Sequence, residues 1–291
     1  MLSALIRALR ALAARLAAAR PPQQPSTPPA ADPQLPGQPL GQPVDVVEPD
    51  VEQARPAAPA PAPIEAPAVH LAPAWDLSLP LPPTQYVDEP QEKTLIVLHH
   101  TVGGSMASSV GWWLANKERV GTAIGLERDG RRFLHFPLEH WAWALGPGAN
   151  GGAANNYEHD RRAIQIELAS EGPLLKVDNG IVTVFKNPKT GRYKPATEPH
   201  VDLGREWRGY RYFDAYNPKQ LETCIATVRE LLDRFPSVPR RMPRDPWAFN
   251  ADLRTFKGVL GHAHVRSDKS DVHPLFPWEE LAEACDLELV G

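Results

Sequence analysis

Proline decides where this chain can fold. About 20 of its 33 prolines fall between Pro21 and Pro90. A run so rich in Pro, Ala and Gln, with hardly a large apolar side chain before Leu71, cannot bury enough surface to offset the entropy of ordering it. It is expected to be a disordered spacer of polyproline character. The folded part must follow, in roughly 200 of the 291 residues, and nearly all of the eight Trp and eight Phe lie there. That is enough for one substantial core. The expected division is 1–20, an amphipathic Arg/Leu/Ala helix; 21–90, the linker, with 71–90 apolar enough to pack as a strap; and 91–291, one folded domain.

Charge follows the same division. Residues 1–20 carry +4, residues 21–90 carry −8 and residues 91–291 are neutral, within a total of −4. A neutral domain lacks the basic footprint that phosphate backbones require, so nucleic acid is not an expected partner. Leu2, Leu5, Ile6, Leu9, Leu12 and Leu16 recur at helical spacing, and Arg7, Arg10 and Arg15 project elsewhere. The uncharged runs between them are too short for a secretory leader or a bilayer span. Residues 2–19 therefore read either as a helix that contacts an anionic membrane or a carrier particle, or as a solvated Ala-rich helix.

Within the domain, Thr94–His100 reads as a buried central strand ending in two histidines. Residues 108–118 suit a short helix, and 123–127 and 132–136 flank the turn signal Asp129-Gly130. Ala163–Leu168 reads as a strand with Ile164 and Ile166 on one face and Gln165 and Glu167 on the other. Asn217-Pro218 starts the clearest helix, as cap and first position. Gly258–His262 reads as a strand that delivers a histidine, and 277–285 as a closing helix. Strands alternating with helices indicate an α/β domain around a central mixed sheet. Cys224 and Cys285 read as two buried thiols, with a disulfide left open.

The ends of two apolar runs in histidine, followed by Lys-x-Asp, supply the ligand types of a zinc site that keeps one position open. Leu98-His99-His100-Thr101, Ile164-Gln165-Ile166-Glu167-Leu168 and Gly261-His262 followed by Lys269-Ser270-Asp271 resemble the signature blocks of zinc-dependent N-acetylmuramoyl-L-alanine amidases. These are the amidases related to phage enzymes and peptidoglycan-recognition proteins, and the resemblance spans about residues 92–285. It implies a mixed sheet flanked by helices, with a groove above a Zn2+ ion held by His99, His262 and Asp271. Glu167 then corresponds to the catalytic glutamate and Lys269 to the lysine that stabilises the oxyanion. The implied substrate is peptidoglycan, cut between N-acetylmuramic acid and L-alanine. Gly172-Pro173-Leu174 and Trp207-Arg208-Gly209-Tyr210 resemble a branch with an insertion before the long helix.

The chain departs from the family where Trp143-Ala144-Leu145-Gly146 replaces Trp-His-Ala-Gly, and near Thr122-Ala123, where a histidine is lost. By themselves Glu167 reads as an exposed strand residue or ion-pair partner, and Lys269 as a solvated loop charge. His100 and His264 read as packing or supporting residues, with His264 an alternative ligand because His262-x-His264 would share a strand face. His135, His140, His159 and His273 read as surface or structural. Trp141, Trp143 and Tyr157 read as sugar-stacking or core residues. Gly146-x-Gly148-x-x-Gly151, interrupted by Pro147, reads as a loop at the groove rim. The competing function is a non-catalytic peptidoglycan-binding module of the same fold. Action at the bacterial cell wall without a standard leader implies delivery by phage lysis or by an injection or secretion device.

Overall fold

The computed structural model describes residues 72–291, apart from 117, 150–156, 179, 188, 198 and 250. The stretch 2–19, the Pro-rich run up to residue 71 and Gly151 lie outside the described residues.

The strands are β1 (Trp75–Asp76), β2 (Leu95–His100), β3 (Ile124–Leu126), β4 (Arg132–Leu134), β5 (Ala163–Leu168), β6 (Pro173–Val177), β7 (Gly180–Lys186), β8 (Tyr193–Pro195), β9 (His200–Trp207), β10 (Tyr210–Asp214), β11 (Arg241–Pro243), β12 (Gly258–Gly261) and β13 (Glu288–Val290). Helices used below are α1 (Met106–Ala115), α2 (Glu158–Arg162), α3 (Pro218–Arg234), α4 (His262–Val265) and α5 (Trp278–Ala284).

Six strands form the central sheet in the order β1-β4-β3-β5-β2-β12. The trio β5, β2 and β12 is parallel, whereas β3 and β4 form an antiparallel hairpin. The hairpin turns at Asp129-Gly130, where Gly130 has φ +89° and its N–H donates to the Glu127 carbonyl. Every residue of β2 and β5 is buried, as strands flanked on both sides and covered on both faces must be. Ile96, Leu98, Ile164, Ile166 and Leu168 face the larger core, into which α3 sends Cys224, Val228, Leu231 and Leu232. Asn217 caps α3 by accepting from the Lys219 N–H at 3.0 Å, and Pro218 occupies its first turn. On the other face Leu95, Val97 and Ala163 pack with Leu145, Phe256 and Leu260.

Residues 72–90 are integral to this packing. β1 adds to the sheet edge by pairing with β4, while Leu81, Tyr86 and Val87 are buried. Packing therefore begins by Trp75, short of the boundary at 91 drawn from composition, and the strap anticipated over 71–90 accounts for it. The insertion between β5 and α3 is a second, antiparallel sheet of five strands in the order β8-β7-β6-β10-β9. Cys224 and Cys285 are buried free thiols.

Candidate metal centre and groove

Parallel alignment brings the carboxyl ends of β2, β5 and β12 to one edge of the sheet, where α/β folds place their ligands. Register then sets the site. His99 lies opposite Glu167 and Val97 opposite Gln165, so His99, Gln165 and Glu167 share a face. His262 is the first residue of α4, immediately after β12. The Ala263 N–H donates to the Asp271 carbonyl at 2.7 Å and returns the following loop to the site.

Asp271 Oδ2 lies 3.1 Å from His99 Nδ1 and 3.0 Å from His262 Nδ1. One ligand atom from each of the three buried residues lies within 4.8 Å of the others. The far side of each ring fixes its tautomer. His99 Nε2 donates to Gln165 Oε1 at 2.9 Å, and His262 Nε2 donates to the Leu145 carbonyl at 3.0 Å. Gln165 is itself oriented, because its Nε2 donates to Asp160 Oδ1 at 3.0 Å and to the Ala142 carbonyl at 3.3 Å. Both Nδ1 atoms thus turn toward a carboxylate oxygen. Such a grouping requires positive charge at its centre, from added ring protons or from a metal cation. Burial pushes the Asp271 carboxyl up, yet the two imidazoles pull it well below the usual carboxylate range. Two imidazoles and one carboxylate, each imidazole carrying an outer hydrogen bond, fit a divalent transition metal.

Glu167 stands beside this trio, buried, its pKa pushed up to about 7 by burial against the opposing influence of His99 and Lys269. Lys269 is half-buried and lines the same groove. All five site residues anticipated from the sequence are therefore brought together. The groove encloses about 720 Å³, within the usual range for a ligand cleft. One wall is α1 with Trp112; the other comes from the inserted sheet with Val184, Phe185 and Tyr210.

Alternatives left open by the sequence are now resolved, and one of them, His264 as a ligand on a shared strand face, is overturned. His264 sits on a helical turn and not on a strand, so it does not share a face with His262. Its Nδ1 accepts from the Gly261 N–H at 2.9 Å and its ring meets the Trp278 edge, away from the metal-facing atoms. His100 points to the opposite sheet face, 3.2 Å from the Tyr216 hydroxyl. His135, His159 and His273 are buried, hence structural and not surface residues. Trp143 stacks on Tyr157 at 4.9 Å, both half-buried, and Trp141 is buried beside them; the trio packs on itself, outside the groove lining. The exposed groove aromatics are Trp112 and Phe185, 59% and 56% accessible. Sequence reasoning noted Arg208 only within the Trp207–Tyr210 stretch and gave it no role. It occupies the β9–β10 turn with φ +54° and donates to the Ala263 carbonyl at 3.1 Å and to the Ser267 carbonyl, tying the inserted sheet to the Asp271 loop.

The sequence profile of the N-acetylmuramoyl-L-alanine amidases matches residues 89–274. The chain belongs to this amidase family. No curated protein matches the sequence. Among solved structures, the amidase-family chain is similar to PlyL, at 16% identity and TM-score 0.41, covering 73% of this chain and 96% of that one. It is also similar to the N-acetylmuramoyl-L-alanine amidase LysC from Clostridium intestinale, at 14% identity and TM-score 0.38, covering 75% and 97%. A third likeness is to AmiD from E. coli in complex with anhydro-N-acetylmuramic acid-L-Ala-D-gamma-Glu-L-Lys, at 20% identity and TM-score 0.41, covering 68% and 59%.

Proposed function

We propose that this amidase-family chain hydrolyses peptidoglycan at the amide joining the lactyl group of N-acetylmuramic acid to L-alanine of the stem peptide, with zinc held by His99, His262 and Asp271. The observation that carries this reading is the convergence of three acceptor atoms at the ends of parallel strands, with Glu167 beside them. The chemistry zinc supplies when bound is activation of water near neutral pH and polarisation of a carbonyl.

The chain's own residues do the rest. Glu167, ionised, accepts a proton from the attacking water and returns it to the departing alanine amine. Lys269 stabilises the negative charge that develops on the attacked carbonyl oxygen. Trp112, Phe185 and Tyr210 offer aromatic walls to a sugar or stem peptide. The acid–base glutamate and the cationic lysine beside a metal-fitting trio favour catalysis over a purely recognising module. Action at the cell wall follows from the substrate. Residues 2–19 would address the chain to an anionic membrane or a carrier, with delivery by lysis or by an injection or secretion device. No helix among the described residues is long and apolar enough to cross a membrane.

Purified peptidoglycan digested with and without a chelator, with mass spectrometry of the fragments, tests the reading. Release of intact stem peptides bearing free L-alanine amino termini, abolished by chelator and restored by zinc, is expected. Cleavage within the glycan or within the peptide would overturn it.

A further inference from the structure

The hydrogen bonds behind the two metal-facing histidines run back to one carboxylate. Asp160 is fully buried at the middle of α2 and does not itself line the groove. Its Oδ1 accepts from Gln165 Nε2 at 3.0 Å, and the Oε1 of that amide faces His99 Nε2. The same oxygen accepts from the Ala144 and Leu145 N–H groups, each at 3.0 Å. The Leu145 carbonyl is the acceptor for His262 Nε2, and Arg266 Nη1 also donates to it at 3.0 Å. A single carboxylate oxygen thus fixes a side-chain amide behind one ring and a stretch of main chain behind the other.

We propose that Asp160 is a positioning residue that orients both metal-facing histidines at once, His99 through Gln165 and His262 through the 144–145 main chain. The physical reason is geometric. Without the Asp160 acceptor the Gln165 amide can rotate and present its NH2 to His99, which favours the tautomer that protonates Nδ1 and blocks a metal there. Without the same acceptor the 144–145 segment loses both of its N–H bonds, and the carbonyl that holds His262 is left to the Arg266 bond alone. The segment concerned is the one where this chain carries Ala144-Leu145 in place of a His-Ala pair, so main-chain atoms and not side chains serve the site.

This inference rests on the zinc reading above. The test measures zinc affinity of the full chain by competition with a chromophoric chelator, beside thermal melting of the metal-free proteins. Gln165→Met removes one arm and should weaken zinc about 10- to 100-fold, the usual effect of losing an outer partner of a ligating histidine. Asp160→Ala removes both arms and should weaken it further. Asp160→Asn keeps an accepting oxygen and should recover most of the affinity. The d–d spectrum of the Co2+-loaded Gln165→Met chain should shift from wild type, which a merely structural role would not produce. Wild-type affinity in Gln165→Met, or no greater loss in Asp160→Ala than in Gln165→Met, would overturn the proposal. If Asp160→Ala does not fold, Gln165→Met and Asp160→Asn still decide. Failure of the wild-type chain to bind zinc would instead strike the zinc reading itself.

Discussion

In the proposed metal site His99 and His262 each offer Nδ1 because Nε2 is committed elsewhere, and Asp271 adds one carboxylate oxygen as the third ligand atom. His99→Ala, His262→Ala and Asp271→Ala should each remove metal and activity together, measured by metal analysis and turnover on the same preparations. Full metal occupancy in Asp271→Ala would sink that assignment. Glu167 separates the two properties. Glu167→Gln should keep its metal and its fold yet lose about 100-fold or more in turnover, the range for a positioned acid–base group. As the base must be ionised, the wild-type rate should show an acid limb as Glu167 takes up its proton, with its midpoint below the value of about 7 that burial gives the metal-free carboxyl, because a bound dication favours the ionised form; the Gln variant should lack that limb. Stability carries the same signature. In the metal-free chain the native carboxyl keeps a proton that the unfolded chain releases, so this residue's contribution is lost as pH rises from about 4.5 to about 7. Thermal melting of Glu167→Gln should be flatter across that window.

Among the elements, the inserted sheet supplies a groove wall of its own. Phe185→Ala should raise KM roughly 3- to 10-fold with little change in kcat, the effect of losing about 0.5–1.5 kcal/mol of aromatic contact. An unchanged KM on muropeptides would remove Phe185 from the substrate wall. This sheet is also the part least legible in the sequence. β9 alternates weakly and is exposed at most positions, so no apolar run marks it. By contrast β2, β5 and α3 are readable because burial on one or both faces imposes a periodicity that the residues must obey. The five candidate site residues are readable through their blocks. Asp160 is not, since Glu158-His159-Asp160-Arg161-Arg162 has the composition of a solvated turn. Only the tertiary contacts show its carboxylate facing inward.

At the scale of the whole molecule, the chain from about residue 72 onward should be self-sufficient. A chain beginning at Leu71 is expected to hydrolyse isolated peptidoglycan at nearly the full rate and to lose the binding to anionic vesicles proposed for residues 2–19. One beginning at Gln91 should fare differently. It lacks β1 and the buried Leu81, Tyr86 and Val87, each worth about 1.5–3 kcal/mol, a large share of the roughly 5–15 kcal/mol that holds a domain together. Melting curves of the two truncations would separate these outcomes. A last consequence follows from where the metal-facing atoms come from. His99 and Asp271 stand 172 residues apart along the chain, so an ion held between them acts as a clasp across nearly the whole domain. An ion that binds only the native form raises stability by mass action, and here its ligands meet only when segments far apart in the chain have folded together. Chelation should therefore make the domain an easier prey for proteases even where the polypeptide is not cut at the site.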